Sequence, residues 1–115
     1  MITFSTSNPA GLLAKFDSAI AKGHASGGVA TWQKIGSSYT HLAPQWAKLA
    51  YFAPEVRPDA LVFNIIKNKG SNVSIPVYGY YHGHLLETFL NHFDQDFFES
   101  SASPLCVTGQ DFCSA

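Results

Sequence analysis

The stretch Ile75–Phe98, IPVYGYYHGHLLETFLNHFDQDFF, decides how the rest of the chain is read. Just before and into it, Val73, Ile75, Val77 and Tyr81 fall on one face of a pleat. Ser74, Pro76, Tyr78, Tyr80 and His82 fall on the other, so residues 73–81 are expected to form a strand. After Gly83, which can take the backbone angles needed to leave a strand, the apolar residues become Leu85, Leu86, Phe89, Leu90, Phe93 and Phe97. That three-to-four spacing gathers them on one side of a helix, with His84, Glu87, Thr88, Asn91 and Gln95 opposite. The sequence therefore predicts a strand-to-helix switch within about two residues of Gly83.

Upstream, Ser7-Asn8-Pro9 offers a cap and a proline suited to a first helical turn. Leu12, Leu13, Phe16, Ala19 and Ile20 follow at helical spacing and Gly23 supplies a stop, which predicts a helix over residues 9–22. Residues 24–28 read as a short connection without the lysine that a phosphate-cradling glycine loop needs. Strands are expected over 29–35 and 39–42 around a Gly36-Ser37-Ser38 loop, then over 47–53, with Pro54 to Pro58 as a break. Residues 59–67, DALVFNIIK, are the most strand-like run, and Asn68 to Asn72 turn the chain back.

Strands joined by such short turns pair antiparallel, because parallel neighbours need longer crossovers. The expected fold is α+β: a two-layer sandwich in which an antiparallel meander of four or five strands is flanked by an N-terminal and a C-terminal helix. Residues 1–99 would make one domain, and 100–115 a tail that frays or adds a short edge strand.

The chain's 115 residues suffice for one core without staples, and at 46% hydrophobic residues it carries enough apolar surface to offset the entropy of ordering. All seven Lys and Arg lie in residues 1–69, against Asp17, Glu55 and Asp59. Residues 70–115 carry Glu87, Asp94, Asp96, Glu99 and Asp111 with neither Lys nor Arg. Such asymmetry steers a basic partner or pairs with the chain's own lysines. No run reaches the roughly 18 apolar residues of a membrane helix, and the N-terminal residues lack the positive start and apolar core of a secretion signal, so a cytoplasmic setting is expected. Cys106 and Cys113 lack the spacing of a zinc site and are expected to be free thiols, a disulfide being the alternative.

Three readings of function compete. A strand would set His82 and His84 on one face as a ligand pair, with His41, Glu87 or His92 as a third partner, but the set is incomplete. No metal and no cofactor is therefore expected. The same His82, His84 and Glu87 form a polar site where a neutral imidazole at a helix start could act as a base, yet no nucleophile, base and orienter can be named together. The uncovered sheet face is the third: Val62, Asn64 and Ile66 beside Tyr78 and Tyr80 resemble an interface core. Tyrosines on a sheet also stack unpaired bases, and Lys34, Lys48, Arg57, Lys67 and Lys69 could hold phosphates, but none of them interleaves with the tyrosines. The sequence thus points to a small non-catalytic binding protein, a homodimer or the partner of another protein. Alternatives are a metal-binding or hydrolytic enzyme on His82 and His84, and a single-stranded nucleic-acid module.

Overall fold

The structure, a computed structural model, describes residues 1–23 and 28–112. Residues 24–27 of the expected connection, and Cys113, lie outside the described residues. The order is β1 (Ile2–Ser5), α1 (Pro9–Lys22), β2 (Trp32–Ile35), β3 (Ser38–His41), β4 (Ala50–Val56), β5 (Ala60–Lys67), α2 (Ile75–His92) and β6 (Glu99–Ala102). The strands form one antiparallel sheet in the order β2-β3-β4-β5-β1-β6, and both helices lie on one face of it. This is a two-layer α+β sandwich, as the periodicities predict, with six strands instead of four or five.

α1 forms where its caps place it. Asn8 Oδ1 accepts the Gly11 N–H at 3.0 Å, Pro9 takes the first turn, and Gly23 ends the helix at φ 58°. The β2–β3 hairpin closes through a two-residue turn, Ile35 pairing with Ser38, and Gly36 at φ 63° supplies the positive angle such a turn demands. β4 runs through Pro54 instead of ending before it.

The main correction concerns Val73 to Tyr81. Ser74 is an N-cap, Pro76 sits in the first turn, and α2 runs unbroken from Ile75 through Gly79 and Gly83 to His92. The alternation of apolar residues is real, but Tyr81, Leu85 and Phe89 also stand four apart, and burying that stripe against the sheet wins over the pleat. The strand expected from those residues is supplied by β1, which lies between β5 and β6. At the start of the tail Glu99–Ala102 pairs with β1 as an edge strand, the second of the two expected courses.

The core is aromatic. Phe89 stacks on Phe4 with centroids 4.2 Å apart and touches Phe16, Phe63 and Phe93, while Phe16 also meets Tyr39. Leu90, expected in the same stripe, is 51% exposed on the outer side of α2. Lys15 and Asp96 pair at 2.6 Å, so part of the C-terminal acidity is answered by the chain's own lysines. Cys106 is disulfide-bonded, which overturns the free-thiol expectation for that residue. No helix among the described residues is long and apolar enough to cross a membrane.

Candidate binding surfaces

The helical course of α2 redistributes every residue singled out from the sequence. Residues two apart in a helix diverge by about 200°, where a strand would align them. His82 accordingly turns towards β1 and the C-terminal segment, and His84 towards β2 and β3.

His82 is 5% exposed and packs edge-on to Phe52. Its Nδ1 lies 2.8 Å from the Tyr78 carbonyl oxygen, so that nitrogen carries the proton and Nε2 accepts from the Met1 amine at 3.0 Å. The three N–H groups of that amine are shared between His82 Nε2 and three further acceptors, Asp111 Oδ2 at 2.8 Å, Ser103 Oγ at 3.0 Å and the Tyr78 hydroxyl at 3.2 Å. Asp111 is fully occupied, Oδ1 accepting the Ile65 N–H and Oδ2 the Val107 N–H. Burial, reinforced by the adjacent ammonium, pushes the His82 imidazole down to about 4. Tyr78, stacked on His82, is raised by burial and bonds the Ser103 hydroxyl. The geometry is that of a clasp joining β1, α2 and the C-terminal segment, with every polar group spent on another part of the chain.

His84 instead stands 4.5 Å, ring to ring, from His41, at the end of β3. Burial lowers both imidazoles, His41 to about 4 with a further contribution from His84; Glu87 opposes the effect at His84. Tyr80 lies between Trp46, stacked at 3.9 Å, and His84 at 5.4 Å. His82 and His84 therefore make no shared ligand pair. Glu87 is exposed and acts on His84. Among the described residues no group of three His, Cys, Asp or Glu could hold a metal ion.

The expected interface is likewise divided. Val62, Asn64 and Ile66 do face away from the helices, but Tyr78 and Tyr80 belong to α2 in the other layer. Val62 is buried between Thr3 and Glu55, its partners in register. Tyr78 and Tyr80 are thus absent from this face, and of the cations expected to hold phosphates Lys34 and Arg57 are engaged with Asp17 and Glu55.

Of the residues that replace the tyrosines, Ile66 was named from the sequence and Phe112 and Tyr51 were not. Past Phe63 the edge of β5 is free of β1, and Phe112 fills it: its N–H donates to the Ile65 carbonyl, and its own carbonyl accepts the Lys67 N–H. Side chains opposite one another across a ladder share a face. Phe112, Ile66 and Tyr51 therefore form a row across three segments on the side away from the helices. Phe112 is 67% exposed, and Ile66 and Tyr51 are half-buried. Beside this row Asn64, 9% exposed, has no hydrogen bond to Oδ1 among the described residues. The strand alternation of 59–67 placed Ile66, but nothing local in Gln110-Asp111-Phe112 announces a strand bridge.

Comparison with family models, with curated proteins and with solved structures finds no match to this chain.

Proposed function

We propose that the protein is a non-catalytic binding domain that self-associates through the sheet face away from its helices. The observation that carries the reading is the Phe112–Ile66–Tyr51 row, an aromatic and apolar strip left in water by a fold that places both helices on the opposite side. A second copy suits it better than a charged partner. At the far end of the face Arg57 bonds Glu55 at 2.6 Å and Gln110 at 2.7 Å, so the rim carries both signs, as a patch that meets its own copy about a two-fold axis requires. The principal extents, 36 × 31 × 22 Å, leave a broad face large enough for the roughly 800 Å² per subunit of a stable interface. The Asn64 oxygen, which has no donor among the described residues, adds a cost that a partner's donor would relieve.

Catalysis is not supported by the histidines, because the pair named from the sequence is split and His82 is committed to the clasp. The disulfide at Cys106 bears on compartment: such bonds persist where the surroundings oxidise, so the cytoplasmic expectation is not carried into this reading.

The test is light scattering on the unmodified protein and on Tyr51→Lys with Phe112→Lys, changes at half-buried and exposed positions that place like charges inside the contact. The reading expects a dimer that becomes a folded monomer. A monomer at millimolar concentration before substitution, or a dimer that survives it, defeats the proposal.

A further inference from the structure

The ring cluster around Tyr80 packs on the margin of the core, with His41 buried, and takes no part in the sheet face away from the helices. We propose that Trp46, Tyr80, His84 and His41 form a binding site for an uncharged, hydroxyl-bearing ring, the chemistry of a neutral sugar. It goes beyond the self-association reading and stands on different residues.

The first support is unspent hydrogen-bonding capacity. His41 Nδ1 accepts the Ala43 N–H at 3.0 Å, which puts the proton of the neutral ring on Nε2, 3.3 Å from the Tyr80 hydroxyl. Tyr80 then accepts from His41 and keeps its own proton to donate elsewhere. Neither the Trp46 indole N–H nor either His84 ring nitrogen bonds a described residue, and Trp46, Tyr80 and His84 are all half-buried. Three side chains of one stack thus present donors, and His84 adds an acceptor.

The second support is the effort spent in holding Trp46. It lies in the loop Leu42–Leu49, whose Lys48 takes φ 61°, a strained angle for a residue with a side chain. Three contacts enforce that turn: Lys48 N–H to Thr40 Oγ1 at 2.9 Å, the Asn68 amide to the Lys48 carbonyl, and the Tyr81 hydroxyl to the Trp46 carbonyl. The result is an indole held within 5° of parallel to Tyr80. Rigid aromatic surface flanked by neutral donors is what a ring with hydroxyls requires, because the apolar face of the ring covers the indole while its hydroxyls meet the polar tips.

The charge of the site selects against anions. Burial holds both imidazoles neutral at pH 7, and the nearest charged group acting on His84 is the Glu87 carboxylate. Lys48 is the only cation in the loop, too few for a nucleic-acid backbone.

Titration with a panel of neutral sugars, glucose, galactose, mannose, N-acetylglucosamine and their β-linked disaccharides, followed by tryptophan fluorescence and by the imidazole proton resonances of His41 and His84, tests this. The expected result is saturable binding by at least one sugar, weakened about tenfold or more in Trp46→Ala and in Tyr80→Phe. Tyr80→Phe keeps the stack and removes one hydroxyl, so it reports the site even if Trp46→Ala disturbs the loop. No saturable response from any sugar in the panel, or a response unchanged in both variants, overturns the proposal. So does binding only to a single-stranded oligonucleotide that falls steeply with salt. The oligomeric state, read in the same samples, is expected to be unchanged, which separates failure here from failure of the self-association reading.

Discussion

His82 and His84 stand two residues apart in α2 and share no ring partner among the described residues: His82 meets Phe52 and Tyr78, whereas His84 meets Trp32, His41 and Tyr80. The divergence is a property of the helix, and it turns one expected ligand pair into two separate environments. The consequences can be measured one at a time.

Acid should unfold the protein early. Burial lowers His41 and His82 to about 4 from an ordinary 6.5, so the unfolded chain binds protons more readily than the folded one. Stability is full above about pH 6.5 and falls as the pH drops towards about 4, by on the order of 3 kcal/mol per imidazole at the limit. Urea midpoints measured from pH 7.5 down to 4.5 should decline accordingly, and His82→Gln should flatten part of that slope. A midpoint independent of pH across this window would show that the imidazoles are not held neutral.

Gly83→Ala should stabilise the protein by about 0.5–1 kcal/mol. Gly83 lies inside α2 on its exposed side, and an added Cβ meets nothing within 4 Å. Thermal unfolding monitored by circular dichroism should show a higher midpoint. A loss of stability would return the strand-to-helix junction to Gly83.

Phe89→Ala should cost about 3–5 kcal/mol, since it empties a fully buried site among Phe4, Phe16, Phe63 and Phe93. Leu90→Ala, on the outer side of the same helix, should cost under about 1 kcal/mol. Equal losses in denaturant titrations would mean that the face of α2 is assigned wrongly.

Asp111→Ala should cost about 3–5 kcal/mol, because it strands the Met1 ammonium and the Ile65 and Val107 N–H groups together. Asp111→Asn keeps an acceptor and should lose less. The two unfolding curves should therefore rank Ala below Asn, and a negligible loss in both would remove the clasp from the account of stability.

Local features were legible in the sequence wherever they stood on local physics. Asn8, Pro9 and Gly23 bound α1 because caps satisfy the helix's own end groups, and the branched run of 59–67 is a strand because those side chains fit a pleat. The α+β class follows from the two periods together. The start of α2 was also written there, in Ser74 and Pro76, but three closely spaced tyrosines fit a pleat as well as a helix, and the alternation masked the cap. Only the tertiary structure decided between them, because the stripe of Tyr81, Leu85 and Phe89 gains its stability from Phe4, Phe16 and Phe63, residues distant in the chain. The same holds for the insertion of β1 beside β5, the Phe112–Ile66 bridge and the approach of His41 to His84. Each joins residues whose local patterns are complete without one another, and pairing across such distances is set by which surfaces can be buried together in a single packed core.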